Sequence, residues 1–266
     1  MNAAPPDSIR HSSIQAFSML ELMVVLAIMV IMTGLLVPTM LGLKRSRDLT
    51  SAAYSIKGAL EEARIYAVAN NTYTWVGFFE EDGASASSAP AMSGVGRVVI
   101  CTMTSRDGSA IYNKALASGN TPSVQALTPS RLVQVGKLVK LNNVHIVDAT
   151  SRNIGTRQAG TLTTKNLVGL SSEPLLFSFQ YPLAGAAQYT FGIRPVPTAN
   201  GSPVANGIVQ FDPRGEVITD SGPMTIAAPN KEIAIEESHG NHAVSSQNII
   251  ALQLSGLTGE VTMYRP

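Results

Sequence analysis

This chain contains little cysteine and little charge. Cys101 is the single cysteine among 266 residues, so an intrachain disulfide is impossible. Charged residues make up 14% of the sequence and the formal net charge is +1, which argues against a domain that binds nucleic acid through a basic patch. With so few charges and abundant Ser, Thr, Gly and Ala, the composition favours a β-rich extracytoplasmic domain over a cytosolic enzyme.

Catalytic and metal-binding patterns are also absent from the sequence. It contains no G-x-S-x-G, no phosphate-binding P-loop and no H-E-x-x-H. His239 and His242 lie three residues apart in a Gly-Asn loop, but no third ligand is evident beside them. Gly94 and Gly96 lack a third glycine and lead into a predicted strand, so they do not form a dinucleotide fingerprint. We therefore predict that the chain is not an enzyme and holds no cofactor and no metal.

One long segment has no charge at all. Residues 22–43 contain no ionisable side chain, and the apolar stretch 17–43 holds one acid, Glu21, before it ends at Lys44 and Arg45. About 20 consecutive apolar residues are enough for a helix to cross a bilayer, so we predict a transmembrane helix over residues 17–43. A cleaved secretory signal would have a shorter apolar region and a small-residue cleavage site after it.

Glu21 is the unusual residue of this stretch. A carboxylate at the centre of a membrane helix costs about 2.5–3.5 kcal/mol, and less near an end. Glu21 lies near the start of the apolar stretch, so it either marks the membrane interface or requires a cationic partner inside the membrane.

The segment AFSMLELMVV, residues 16–25, resembles the cleavage and methylation signal of type IV prepilins and type II secretion pseudopilins. In that family a membrane peptidase cuts before the Phe and N-methylates the new terminus, which implies processing between Ala16 and Phe17. The family glutamate lies four residues after the Phe, as Glu21 does, and Pro38 matches a common helix-kinking proline, so the resemblance implies a role for both in assembly. Ala16 departs from the family, which usually has Gly before the cut.

The resemblance implies a structural subunit, a minor pilin or pseudopilin, of a type IV pilus-like or type II secretion-like fibre. Its implied partners are the prepilin peptidase and N-methyltransferase, other pilins or pseudopilins, and an inner-membrane assembly platform, with no nucleic acid. Residues 1–16 would be a leader peptide. The chain would be a single-pass inner-membrane protein with its C-terminal domain periplasmic or extracellular. The alternative is a membrane-anchored extracytoplasmic binding protein that is not incorporated in a fibre.

The remaining sequence predicts a helix followed by strands. Apolar residues at three- and four-residue spacing predict an amphipathic continuation of the helix over residues 44–71, ending at Asn70 and Asn71. Residues 72–266 are predicted to form a β-rich globular domain with long loops at about 105–130 and 149–172. A helix followed by strands indicates an α+β domain with an antiparallel sheet. Together with the resemblance, this predicts a pilin-like fold, in which a long N-terminal helix, half transmembrane and half amphipathic, packs on that sheet.

Individual segments give narrower predictions. Strands are expected over residues 72–79 and 97–104, with hairpins at 208–218 and 248–264, and residues 80–83, EEDG, are interpreted as a solvated turn. Pro38 predicts a kink or a melted turn over residues 34–38. The EEAR segment at 61–64 and the segment at 208–215 resemble minor pseudopilins of the type II secretion H type. TWVGFFEEDG, residues 74–83, resembles the Verru_Chthon cassette protein D family.

Overall fold

The computed structural model describes residues 18–109, 125–126, 129–147, 177–192, 196–197, 203–204, 206–218, 231–244 and 248–265, with the side chains of residues 35–46 outside the description. Helix α1 spans Met19–Ala69, and a short 3-10 helix spans Pro129–Arg131. The two predicted long loops, 105–130 and 149–172, lie mostly outside the described residues.

Strands make up most of the description after α1. In chain order they are β1 (Thr74–Asp82), β2 (Gly96–Ser105), β3 (Gln125–Ala126), β4 (Leu132–Asn142), β5 (Val144–Val147), β6 (Phe177–Tyr181), β7 (Tyr189–Gly192), β8 (Val196–Pro197), β9 (Pro203–Val204), β10 (Asn206–Phe211), β11 (Val217–Ile218), β12 (Lys231–His239), β13 (His242–Ala243), β14 (Ile249–Leu254) and β15 (Val261–Tyr264).

Most of these strands belong to two antiparallel sheets. The central sheet has the order β11-β10-β1-β2-β4. In the second sheet, β12 pairs with β5, β13 and β14, and β14 pairs with β15. Strand β6 pairs with β7 and with the short β3, while β8 pairs with β9. The predicted hairpins at 208–218 and 248–264 are confirmed as β10–β11 and β14–β15.

The part of α1 after residue 47 packs through one narrow face. Its buried residues recur every three or four positions, as a helix with one core-facing stripe requires; they are Leu49, Ala52, Ala53, Ile56, Leu60, Ala63 and Ala67. Four of these seven are alanines, so the helix backbone can approach its neighbours closely. The Thr74 hydroxyl donates directly to the carbonyl of Ala63 at 3.0 Å.

The predicted end of α1 at Asn70 and Asn71 is confirmed. Asn71 has a φ of 47°, in the left-handed region that Asn tolerates better than most residues. The N–H of Thr72 donates to Ala67 at 3.0 Å and the N–H of Asn71 to Val68 at 3.4 Å. This pair of bonds is a Schellman motif, which satisfies carbonyl groups that the last helical turn leaves open.

The central sheet separates two cores. The helix-side core combines the buried stripe of α1 with aliphatic residues of both sheets, such as Val76, Ile100 and Leu252. The aromatic core lies on the other face of the central sheet, where Trp75 and Phe79 of β1 meet β6 and β7. Gly77 of β1 permits this contact, because a Cβ there would lie 2.6 Å from the ring of Phe179.

The predicted pilin-like fold class is wrong. It required a helix whose first half, residues 17–43, crosses a membrane. Within the described residues, no helix combines the length and the apolar character needed to span a bilayer. The described part of α1 therefore does not provide the membrane-spanning half that this fold class requires. The described chain consists mainly of antiparallel sheets.

The same finding corrects the predicted localisation. The expectation of a single-pass inner-membrane protein with a periplasmic or extracellular C-terminal domain depended on the transmembrane helix, which the described residues do not provide. By its internal contacts the chain divides into two compact units, Met1–Lys44 and Arg45–Pro266.

Candidate functional site

The predicted assembly residue Glu21 lies in the first turn of α1, where it caps its own helix. The N–H of Glu21 donates to Oγ of Ser18 at 3.2 Å, and the N–H of Ser18 donates to a carboxylate oxygen of Glu21 at 3.1 Å. This reciprocal pair is a capping box, with Ser18 at the N-cap and Glu21 three residues later. The negative charge also lies at the positive end of the helix dipole, which stabilises it there. Glu21 therefore has a local structural role that the sequence resemblance did not predict.

The first turns of α1 expose apolar side chains on every side. Every residue from 19 to 32 is exposed, and consecutive residues such as Leu22, Met23 and Val24 have exposed fractions of 56%, 68% and 49%. Consecutive helical residues point about 100° apart, so the exposed apolar surface surrounds the helix and is not confined to one stripe. A helix that is apolar all round is normally buried by something.

The other predicted assembly and processing residues are less informative. Ala16 and Phe17 lie outside the described residues, so the predicted cleavage position stays a prediction. Pro38 belongs to α1, and the helical assignment continues without interruption through residues 34–38. The expected melted turn is therefore not present.

The interpretation of residues 80–83 as a solvated turn is wrong for the two glutamates. Glu80 and Glu81 belong to β1, and their exposed fractions are 0% and 2%. Because successive residues of a strand face opposite sides of a sheet, Glu80 enters the helix-side core and Glu81 enters the aromatic core. Two adjacent carboxylates are thus buried on opposite faces of one strand, and each requires a compensating partner.

Glu80 is paired with a histidine of the second sheet. Nδ1 of His145 in β5 lies 2.6 Å from Oε1 of Glu80, and the two atoms form a hydrogen bond. In the register of the second sheet, Glu236 of β12 stands opposite His145. Burial by itself lowers the pKa of His145, but the hydrogen bond and charge of Glu80 and the charge of Glu236 outweigh it, so the pKa of His145 is raised. The pair joins the central sheet to the second sheet through a charge-assisted hydrogen bond.

Glu81 has two partners on the other face. Its Oε2 lies 3.2 Å from a terminal nitrogen of Arg97, and the hydroxyl of Tyr189 donates to the same oxygen at 3.3 Å. Nε of Arg97 also donates to Oδ1 of Asn142 at 2.9 Å. Lys140 lies 5.2 Å from the centre of the Tyr189 ring, within range of a cation–π contact. Glu81 therefore links β1, β2 and β7.

Three glycines allow the two sheets to approach at this end. Gly83, Gly96 and Gly240 meet backbone to backbone: a Cβ on Gly83 would lie 2.6 Å from the carbonyl oxygen of Gly240, and a Cβ on Gly96 would collide with the same oxygen. Gly96 also has a φ of 113°, a conformation that L side chains rarely adopt. Glycine is therefore required at the position where β2 passes the turn after β12.

Asn143 completes the junction between β4 and β5. With a φ of 62° it passes the chain from the central sheet to the second sheet. Its N–H donates to Gly96 at 2.9 Å, its carbonyl accepts from Ser238 at 3.0 Å, and its amide donates to Asp48 of α1 at 3.0 Å. The helix and both sheets are thus fixed to one residue of the turn.

The remaining candidate residues do not assemble into a reactive centre. His239 and His242 face each other across the β12–β13 pair as exposed residues. Within the described residues, no three His, Cys, Asp or Glu side chains are placed to hold a metal ion. Cys101 is buried in the aromatic core, and burial raises the pKa of its thiol to about 12. At neutral pH this thiol is therefore protonated and unreactive.

The geometry around Glu80 and Glu81 is that of a structural junction. Both carboxylates are inaccessible, so neither is presented to a substrate. The sequence did contain a signal for this arrangement: Glu80 continues the alternation of Val76 and Phe78, and Glu81 that of Gly77 and Phe79. The sequence analysis missed this alternation because residues 80–82 are three consecutive acids before a glycine, a pattern that was interpreted as a turn.

Comparison of the chain with protein-family models, with curated proteins and with solved structures gives no match.

Proposed function

We propose that the chain is a structural subunit, a minor pilin or pseudopilin, of a type IV pilus-like or type II secretion-like fibre, and that it assembles through the first turns of α1. The observation that carries the proposal is the apolar surface of residues 19–32, exposed on every side of the helix. Such a surface requires burial against other chains, and parallel copies of a like helix supply matching apolar surface. The contacts of Glu80 and Glu81 join the strands of the β-rich domain, which such a subunit would expose on the fibre surface.

In this proposal Glu21 has two roles. Within its own chain it caps α1 with Ser18. In the fibre its carboxylate pairs with the amine released at Phe17 of a neighbouring subunit, because a low dielectric strengthens the attraction between opposite charges. A carboxylate without such a partner is costly to bury, so the pairing also selects the register between subunits.

Processing is the first test. The full chain is co-expressed with a prepilin peptidase and its N-terminal peptide is measured by mass spectrometry. We expect a mature terminus at Phe17 carrying one added methyl group. Ala16→Gly restores the residue that the family usually has before the cut, and we expect it to be cleaved at least as fast. An intact leader in both proteins would contradict the proposal.

Assembly is the second test, and the capping box supplies matched variants. Glu21→Gln keeps a side chain that can cap the helix but removes the charge, whereas Ser18→Ala removes the cap and keeps the charge. We expect Glu21→Gln to lose co-purification with a major pilin in sheared fibres, and Ser18→Ala to retain it. If both variants lost co-purification to the same extent, Glu21 would act through capping alone. A Glu21→Gln variant that assembles as well as wild type would exclude the pairing.

A further inference from the structure

The second half of α1 has an outer face that the other described residues leave uncovered. Tyr54 and Ile65 have exposed fractions of 62% and 64%, and Gly58 between them is also exposed. At about 100° per residue, all three lie within about 20° of the direction opposite to the buried Ile56. Two large apolar side chains therefore point away from the core of their own chain, on either side of a glycine.

Gly58 has no packing role among the described residues. Glycine in the middle of a helix is less favourable than alanine, because it has more backbone freedom to lose on folding. A Cβ added at Gly58 would nevertheless meet nothing within 4 Å, so the described chain gives no steric reason for glycine there. The distance between two packed helices depends on the side chains at their contact, and a glycine at that point permits the closest approach. Gly58 is therefore suited to the crossing point with a helix of another molecule.

The charges beside this face complement themselves. Lys57 and Glu61 form an ion pair within α1, with 3.5 Å between Nζ and Oε1, and their side chains are 34% and 46% exposed. Such an exposed pair contributes little to the stability of its own helix, so both groups can interact with a neighbour. Lys57 lies two residues before Ala59, and Glu61 lies two residues after it. In two antiparallel copies related by a twofold axis at Ala59, Lys57 of each copy faces Glu61 of the other.

We propose that this outer face pairs with the same face of a second copy of the chain, the two helices running antiparallel and crossing near Ala59. Gly58 lies at the crossing and lets the two backbones approach closely. Tyr54 of each copy packs on Ile65 of the other, since they lie five residues before and six residues after Ala59. The exposed apolar side chains of both copies are thus covered in one contact.

The charges make a second copy the matching partner. A surface whose apolar and charged residues match themselves under a twofold rotation is what a symmetric dimer requires. The two Lys57–Glu61 contacts across the axis fix the register, because a shift along the helix separates the opposite charges. This inference goes beyond the proposed fibre function and does not depend on it, because it does not involve residues 19–32.

A charge exchange between copies tests the pairing. Lys57→Glu leaves an acid at both positions, Glu61→Lys leaves a lysine at both, and each variant loses the ion pair within α1. Like charges meet when either variant pairs with itself, whereas opposite charges meet when the two variants pair with each other. We expect each variant alone to self-associate at least about tenfold more weakly than wild type, and an equimolar mixture to form heterodimers about as tightly as wild type forms dimers.

The association is measured on the full chain in a density-matched non-ionic detergent at low ionic strength. Sedimentation equilibrium from about 1 μM to about 1 mM protein gives the dissociation constants. A fluorophore on one of the two variants identifies the heterodimer in the mixture. A wild type that stays monomeric over this range, dimers that are equally tight in both variants, or a mixture that associates no better than the single variants would each overturn the proposal.

Two further variants separate contact between copies from folding. Gly58→Gln introduces a good helix former where a Cβ meets nothing in its own chain, so the thermal midpoint should not fall, but the new side chain holds the two backbones apart. Ile65→Gln removes an apolar contact, and Met92→Gln, at a 61% exposed residue outside α1, is its matched control. We expect Gly58→Gln and Ile65→Gln to weaken self-association at least about tenfold and Met92→Gln to leave it unchanged. Wild-type self-association in Gly58→Gln would exclude a crossing at Ala59 and overturn the proposal.

Discussion

The two faces of the central sheet solve the same packing problem with different side chains. On one face, β1 and β2 present Val, Ile and one aromatic residue, Phe78, to a helix stripe that is more than half alanine. On the other face, the same strands meet the stacked rings of Phe179 and Phe191, whose centres are 5.0 Å apart. Alanine allows the helix backbone to lie close to the sheet, whereas Gly77 allows the rings to do so. On each face, small residues occur at the contact: alanines where the helix lies against the sheet, and a glycine where the aromatic rings do.

Each face also ends in a buried carboxylate, and here the faces differ in chemistry. Glu80 is bonded to His145, a titratable residue whose pKa, despite its burial, is raised by the charges of Glu80 and Glu236. Glu81 is bonded to Arg97 and Tyr189, and no histidine is among the partners that the described residues give it. The helix-side junction between the two sheets should therefore respond to pH, whereas the junction in the aromatic core should not.

The largest effect should come from removing a ring from the aromatic core. Phe191→Ala should lower the free energy of unfolding by about 4 kcal/mol, and Leu60→Ala on the helix side by about 3 kcal/mol, because both leave cavities in close-packed surroundings. Urea unfolding followed by fluorescence of Trp75, the only tryptophan, measures both. Met92→Ala at a 61% exposed residue is the control and should change little. A Leu60→Ala loss much larger than that of Phe191→Ala would show that the helix-side core dominates stability.

A smaller effect is expected where the two sheets meet. Gly96→Ala should cost about 3 kcal/mol, since it combines left-handed strain with a collision against the Gly240 carbonyl. Gly185→Ala is the matched control: its φ of 91° is also left-handed, but no atom lies within 4 Å of the new Cβ. It should cost about 1 kcal/mol. Equal losses in thermal unfolding would mean that the close approach at Gly240 relaxes freely.

The sequence predicted local structure better than long-range partners. The end of α1 and the hairpins follow from short-range rules, because a left-handed Asn and a Pro-Gly turn act within a few residues. The fold class failed because an apolar run and a family resemblance were together interpreted as a membrane span. His145 was not recognised as the partner of Glu80, since they are 65 residues apart and lie in different sheets.

The Glu81–Arg97 pair in the aromatic core tests the prediction that this junction does not respond to pH. Glu81→Gln should lower the free energy of unfolding by about 2 kcal/mol, because Arg97 keeps its charge and loses its partner. We expect the same loss at pH 6 and at pH 8, because no histidine is among the partners that the described residues give Glu81. The free energies come from urea unfolding at the two pH values. A loss that differs clearly between them would mean that the two junctions are coupled.

The smallest effect is the pH response of His145, and its sign follows from the direction of the pKa shift. Because Glu80 and Glu236 raise the pKa of His145 despite its burial, the folded chain holds this proton more tightly than the unfolded chain. The stabilisation is therefore complete below the ordinary value of 6.5 and is lost as the pH rises through the raised pKa of the folded state. Urea unfolding at a series of pH values from 5.5 to 9 should show the free energy of unfolding falling with pH. His145→Gln should remove that fall, because Gln can still bond to Glu80 but cannot titrate, whereas Glu81→Gln should retain it. A fall of the same size in His145→Gln would assign the pH response to another group and end the contrast between the two faces.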